Sequence, residues 1–389
     1  MRVLLLSHSY PRFPTDPVGS FVLRLAVALR GQGIESLVLA PAGDGLAARE
    51  DFESVPVERF RYAPRRYETL AYTGTMQHQV RSAWSARFFM GTFLAAELWA
   101  ALRVRHRFPA ALVHAHWWFP GGLVGTWLRR LWKVPLVTTL HGSDLRSAQS
   151  SPFARRLFRA VLTSSDAVTT VSHWLASQTH ALVPEVEPIV APMPIMPGLF
   201  YPSTARDADR LLFVGKLNVQ KGIEHLLRAL SLMRARPTLD IVVGVGSSPD
   251  DVRPLAQSLS VADRLRWHPL LPQAELANLY RRCTAVVMPY VDEGLGLVAA
   301  EALLCETPVV AFASGGLTDI VLHERTGLLV RPGDAAALAV ALDDLLSRPD
   351  RGAALGQAGR RHALSTFGAE AVAARYARIY ESAHARRVS

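Results

Sequence analysis

Residues 285–303 read AVVMPYVDEGLGLVAAEAL: a short apolar run, a glycine-bearing loop, then an apolar helical pattern. Ala285–Met288 has the length and composition of a buried strand. Pro289, Gly294 and Gly296 end it, and Leu297 opens the helical stretch. The same grammar recurs on both sides. In the second half, runs at Arg210–Val214, Leu239–Val243, Leu265–Trp267 and Val309–Ala311 alternate with helical patterns. In the first half the runs are Val3–Ser7, Ser36–Ala40, Ala111–His114, Leu136–Leu140 and Ala167–Val171. Such alternation predicts parallel sheets with helices on both faces. It appears twice, so the predicted fold class is α/β with two doubly wound, Rossmann-like domains.

Prolines 184, 188, 192, 194, 197 and 202 crowd one stretch with little periodicity. At that density proline breaks helices and stiffens a connector. The expected division is a first domain over 1–186, a linker over 187–207, a second domain over 208–366 and a C-terminal segment over 367–389. Within the last, Gly368 to Arg387 reads as one alanine-rich helix carrying Arg375, Arg378, Arg386 and Arg387. No strand follows it, so it must pack on something already built.

The 389 residues are half hydrophobic and one-fifth charged, a globular composition with room for two or three domains of roughly 100–200 residues. Cys283 and Cys305 sit in apolar surroundings without CxxC spacing, as expected of buried thiols in a reducing compartment. The apolar run after Arg2 is shorter than the roughly 7–15 residues of a signal peptide core. No stretch approaches the ~20 apolar residues of a membrane span. A cytoplasmic location is expected. The net charge of +10 is uneven: residues 1–190 hold 21 Lys and Arg against 13 Asp and Glu, and residues 191–389 hold 22 against 20. A basic first half points to an anionic partner, or else reflects an arginine-rich composition without function.

In doubly wound folds ligands lie at the C-terminal ends of the strands. After Ala285–Met288, the glycines allow close backbone approach and the helix start offers amide donors. Glu293 lies just before that start. Glu301 lies about two turns on, where burial among apolar neighbours is costly unless something polar pairs with it. Two ribose hydroxyls would do so; a surface helix edge is the alternative. After Arg210–Val214, the run Gly215-Lys216-Leu217-Asn218-Val219-Gln220-Lys221-Gly222 sets two lysines at a strand-to-helix turn, suited to a diphosphate. It lacks Walker spacing. Gly244-Val245-Gly246 is a lone GxG and weak evidence.

In the first half, His114, His116 and His141 stand at strand ends, with Asp144 close behind. A zinc site there would need a third ligand and tetrahedral closure, and none is expected. Pro14 to Phe21, with Gly19, can bring backbone amides to the same place. Asp207-Ala208-Asp209 has DxD spacing but precedes a strand, and reads as solvated linker. Between Arg81 and Arg107, Trp84, Phe88, Phe89, Phe93 and Trp99 mix with arginines. Such a helix suits a membrane interface. A core-facing helix with a basic outer side fits equally.

Together these residues resemble the retaining glycosyltransferase family 4, the glycosyl transferases of group 1, over nearly the whole chain. Glu293 and Glu301 match the family's E-x7-E. Gly215 to Gly222 matches its G-[RK]-L-x-x-x-K-G. Gly315-Gly316, Thr326 to Val330, and His141 to Asp144 also look like it. The resemblance implies a GT-B fold: two domains facing a central cleft, with the C-terminal helix crossing back onto the first. It implies a UDP- or GDP-sugar donor on the second domain and a glycan or lipid-linked acceptor on the first. Lys216 and Lys221 would hold the diphosphate and Glu301 the ribose. Glu293, Gly294, Leu295, Gly296 and Leu297 would meet the donor sugar, with Gly215 beside it. His141 and Gly19 would approach from the first domain. Neither a resident cofactor nor a metal is implied. Three positions depart from the pattern: Lys216 replaces a common Arg, Leu295 a Phe and Asp319 a Glu.

With no carboxylate nucleophile evident in the first half, catalysis is expected to be electrostatic and positional, with His141, Lys216, Lys221 and Glu293 at the centre. An epimerase of the same fold and a non-catalytic partner subunit are the rivals. A nucleic-acid binder would need a recognisable motif, and none is present. Peripheral contact with the inner face of an anionic membrane is the further expectation.

Overall fold

The fold is a computed structural model. It describes all residues except 14, 15, 17, 73–75, 196, 197, 204, 205 and 389, and the side chains of 77, 78, 81 and 388. Pro14 and Pro197 of the sequence argument therefore lie outside the described residues, as does the Arg81 side chain. The chain divides into two compact units, one over residues 1–194 with 369–389, the other over 195–368.

In the first unit, β1 Arg2–Leu6, β2 Glu35–Pro41, β3 Arg49–Phe52, β4 Val55–Phe60, β5 Leu112–His116, β6 Leu136–Leu140, β7 Ala167–Thr170 and β8 Ile189–Val190 form one sheet. Its order is β3-β4-β2-β1-β5-β6-β7-β8, parallel except for β3 against β4. The central strands are apolar runs because helices bury both faces. β3 and β4 were not anticipated, because their residues are Arg-Glu-Asp-Phe and Val-Pro-Val-Glu-Arg-Phe. Burial there is bought by pairing: the buried Arg59 donates to Tyr72 Oη at 2.9 Å and to the Pro11 carbonyl at 2.6 Å. The turn joining them, Glu53-Ser54, has two positive φ angles, 49° and 63°. That geometry is usually signalled by Asn-Gly, which is absent here.

The helix Trp84–Arg105 lies on this sheet. Ala86, Met90, Phe93, Glu97, Ala100, Ala101 and Val104 form its buried stripe, in which three- and four-residue steps recur. Trp84, Phe88 and Trp99 stand on its other side, 79%, 59% and 63% exposed. Phe93 thus faces the core, while other aromatic rings of the same helix stay on its outer side. The arginines at and just after its end are committed: Arg103 and Arg107 pair with Glu58, and Arg105 donates to the Ala110 carbonyl at 2.6 Å.

The second unit holds β9 Arg210–Gly215, β10 Thr238–Val243, β11 Leu265–His268, β12 Ala285–Met288, β13 Val309–Phe312 and β14 Gly327–Val330. The order is β11-β10-β9-β12-β13-β14, with every pair parallel. Ala208 and Asp209 are exposed ahead of β9, in keeping with solvated linker, but Asp207 does more than that. Its carboxylate accepts from Arg210 at 2.6 Å and from Arg282 at 3.0 and 3.1 Å, so it fastens the start of β9 to a helix end. Beside it, Arg206 donates to the Cys283, Cys305 and Glu306 carbonyls and to Thr307 Oγ1, at 2.8–3.1 Å. Cys283 and Cys305 are buried free thiols.

The tail is two helices broken at Gly368, Pro349–Phe367 in the second unit and Ala369–Val388 in the first. In the first unit, Tyr376 Oη donates to the Ala191 carbonyl at 3.0 Å, and Arg387 lies 3.4 Å from the Asp166 carboxylate. No helix among the described residues is long and apolar enough to cross a membrane.

Glu97 is the polar member of the buried stripe of Trp84–Arg105. It is 0% exposed, and among the described residues neither carboxylate oxygen has a hydrogen-bond partner. Burial raises its pKa from 4.5 to about 8. Between these values the unfolded chain releases a proton that the folded chain retains, so stability falls as pH rises through that window. Glu97→Gln is expected to raise the melting temperature at about pH 8 and to change it little at about pH 5. Thermal denaturation by circular dichroism across that range measures it; an equal shift at both ends would contradict the assignment.

Candidate functional site

Sheet order fixes where a site forms in the second unit. β10 and β11 lie on one side of β9, and β12 to β14 on the other. The winding reverses between β9 and β12, and the loops leaving those two strands diverge around a crevice. One is the turn after β9. There the Asn218 side chain accepts from the Lys221 amide at 3.0 Å. Gly222 follows with φ 63°, and a Cβ there would collide with the Pro289 carbonyl. Only glycine lets this turn lie against the segment leaving β12. The Val291 amide completes the join, donating to the Gln220 carbonyl at 2.9 Å.

This join brings Lys221 and Glu293 together. Lys221 Nζ lies 2.7 Å from Glu293 Oε2 and 4.0 Å from the centre of the Tyr290 ring. Both side chains are about one-fifth exposed, so the pair is reachable from solvent yet partly desolvated. Glu293 is also held through its backbone, since its carbonyl accepts from the Gly316 amide at 2.7 Å. A Cβ at Gly315 or Gly316 would strike the backbone of Glu293 or Gly294. The Gly315-Gly316 pair is therefore a cradle for the loop. Gly294 and the buried Leu295 lead to Gly296, at φ 91°, and to the helix Leu297–Leu304. Leu297 is its first residue.

Lys216 is exposed beside Gly215, at the end of β9. The GxG after β10 braces that turn: the Gly244 amide donates to the Gly215 carbonyl, and the Leu217 amide to Ser247 Oγ. Only three of the chain's 43 Lys and Arg residues are lysines, and two of them, Lys216 and Lys221, stand in this one turn. Glu301 is buried rather than on a helix edge. Tyr280 Oη donates to its Oε2 at 3.3 Å, a partner that sequence reading did not supply. Asp319 meets His362 through its backbone carbonyl, at 3.2 Å.

In the first unit the reversal falls between β1 and β5. Gly19, at φ 69°, caps the helix Ser20–Arg30 after β1. His141 follows β6. The buried Asp144 fixes the local backbone, its Oδ2 accepting from the His141 amide at 2.6 Å and its Oδ1 from the Trp118 amide at 3.1 Å. Asp144 is thus a structural carboxylate, pushed up to about 6 by burial. The His141 ring packs against Phe21 at 4.8 Å and Trp117 at 4.6 Å, centre to centre, with His8 against Trp117 at 4.3 Å. Trp117 has φ 66° and ψ 143°, a conformation strained for any residue but glycine, and its indole nitrogen donates to Ser143 Oγ. His8, Phe21 and Trp117 were not singled out from sequence as partners of His141. His8 and Trp117 lie just after β1 and β5, the signal that would have flagged them, whereas Phe21 lies in the helix Ser20–Arg30. Among the described residues no three His, Cys, Asp or Glu side chains are grouped to hold a metal.

Residues 18–192 match the family model described as glycosyl transferase 4-like domain, and residues 203–362 the one described as glycosyl transferases group 1. The D-inositol 3-phosphate glycosyltransferase of Thermobispora bispora is 35% identical over 303 residues, covering 70% of each chain. That of Streptomyces scabiei is 31% identical, covering 93% of this chain and 85% of its own. Among solved structures, sucrose-phosphate synthase from Thermosynechococcus elongatus superposes with a TM-score of 0.81 at 24% identity, over 99% of both chains. HepE of Anabaena, in complex with UDP and glucose, gives 0.72 at 19%, over 98% of this chain and all of its own.

Proposed function

This chain belongs to the glycosyl transferases of group 1 and is a glycosyltransferase of two Rossmann-like domains, and from that premise we propose that it transfers a sugar from a UDP- or GDP-sugar to a glycan or lipid-linked acceptor with retention of configuration. The observation that carries the proposal is the Lys221–Glu293 pair at the reversal between β9 and β12. A diphosphate entering the crevice competes with Glu293 for the Lys221 ammonium and frees the carboxylate for sugar hydroxyls. Lys216, exposed on the same turn, adds a second cation. Together they stabilise the charge that the leaving nucleotide acquires. Glu301 takes the ribose, exchanging or sharing its bond from Tyr280. Gly215, Gly294, Leu295, Gly296 and Leu297 line the approach with backbone. Gly19 and His141 serve from the first domain. No resident cofactor or metal is needed for this chemistry, which is positional and electrostatic.

The relatives named for D-inositol 3-phosphate favour a second reading of the acceptor, a phosphorylated cyclitol. The basic first half suits either a phosphorylated acceptor or an anionic surface. The exposed Trp84, Phe88 and Trp99 support peripheral attachment to the inner face of the cytoplasmic membrane, in surface polysaccharide or glycolipid synthesis. An epimerase would use the same donor site and release an epimerised sugar from donor alone.

Lys221→Ala and Glu293→Ala are each expected to lower turnover of the donor by about 100-fold, the scale of losing one contact to developing charge. Turnover is read by release of free nucleotide in the presence of acceptor. Unchanged rates in both variants would refute the site.

Vesicles of anionic phospholipid are expected to sediment the protein at low salt. A Trp84→Ala, Phe88→Ala, Trp99→Ala triple variant should reduce the bound fraction severalfold. No sedimentation of the parent protein would contradict attachment and point to a soluble acceptor.

A further inference from the structure

His141 does not stand alone at the mouth of the first sheet. β5 and β6 run parallel with His116 beside Thr139, so the last residue of β5 lies next to the end of β6. The two rings stack, with centres 5.2 Å apart and planes 25° apart, and His116 Nδ1 lies 3.0 Å from His141 Nε2. One proton must lie between these nitrogens, and two arrangements are open. Either His116 carries it on Nδ1 and donates, or His141 carries it on Nε2 and donates.

Burial separates the two. His116 is fully buried, and among the described residues no hydrogen-bond partner lies within reach of its Nε2. If His141 donated, neutral His116 would carry its own proton on Nε2, a buried N–H with no protein acceptor. If His116 donates from Nδ1, its Nε2 is a bare lone pair, and every ring N–H of His116 is satisfied. Orphaned buried donors are rarer than under-used acceptors. Both rings are held neutral: burial lowers His116 to about 3 and His141 well below its ordinary value, with His8 further disfavouring charge on both and His116 on His141. A doubly protonated pair, which would escape this choice, is thereby excluded.

We infer that His116 is a positioning residue that holds His141 in the Nδ1–H tautomer, with Nε2 occupied as an acceptor. His141 then offers its Nδ1–H as a neutral hydrogen-bond donor. It acts neither as a general base through Nε2 nor as an imidazolium. A neutral donor suits an oxygen of the sugar or of the leaving diphosphate and cannot take the acceptor's proton. The inference rests on the reading of His141 as a site residue only for its kinetic consequence. The tautomer itself does not depend on it.

The test is two-bond 1H–15N NMR correlation on protein labelled at histidine nitrogens, with His141→Gln to assign the signals. The expected wild-type pattern is a protonated Nδ1 and an acceptor Nε2 at His141. His116→Phe should shift His141 toward Nε2–H or a mixture. It should also lower kcat about tenfold, the scale of losing one hydrogen bond, with KM for the donor nearly unchanged. His116→Asn, whose amide places an N–H near the position of Nδ1, should restore the tautomer and most of the rate. Protonation of His141 on Nε2 in the parent protein would overturn the inference, as would an unchanged pattern in His116→Phe. The parent spectrum decides even where a variant fails to fold. If His141→Gln leaves turnover intact while the tautomer is as stated, the reading of the site fails and the inference about His116 stands.

Discussion

The reversal of strand order between β9 and β12 is the constraint on which the candidate site depends. These strands are adjacent in the sheet, although about 70 residues separate them in sequence. Adjacency forces their outgoing turns into one crevice, and Gly222 and the Gly315-Gly316 cradle remove the side chains that would hold those turns apart. Lys221 and Glu293 then meet as a partly desolvated pair. Removing either partner leaves the other charge without its partner in a setting where water compensates incompletely. A ligand carrying both anionic and hydroxyl groups can replace both halves of the interaction at once.

The first unit is organised differently. Its strand ends carry imidazole and aromatic rings rather than formal charges, and Asp144 is spent on backbone amides. The helix Ala369–Val388 reaches this layer from behind: Tyr380 Oη lies 2.7 Å from His114 Nδ1, and His114 Nε2 lies 2.6 Å from Thr139 Oγ1. The last helix of the chain therefore supports the strands that present His116 and His141. The paired charges of Lys221 and Glu293 in one unit thus contrast with the neutral rings at the strand ends of the other.

Much of this was legible in the sequence, and the limits have physical causes. Interior strands announce themselves because burial on both faces demands unbroken apolar runs, and Ala285–Met288 and Leu136–Leu140 have the bounds read from sequence. β3 and β4 were hidden because their charges are settled by tertiary pairing: Glu58 by Arg107, 49 positions away, and Arg59 by Glu50 of the neighbouring strand. The tie made by Asp207 was hidden because Arg282 lies 75 positions away. The turn bearing Lys216 and Lys221 was legible because its chemistry is local. The contact of His116 with His141 was not, because it depends on the register of β5 against β6. Glu97 was invisible as a core residue, since a carboxylate counts as polar in any periodicity.

The most direct test of the account is hydrogen–deuterium exchange of the intact protein with and without saturating UDP-sugar or GDP-sugar. It predicts slowed exchange at residues 215–222 and 293–301 with one of these donors, and little change along the Trp84–Arg105 helix. Binding that protects neither segment would contradict the placement of the donor at the β9–β12 reversal.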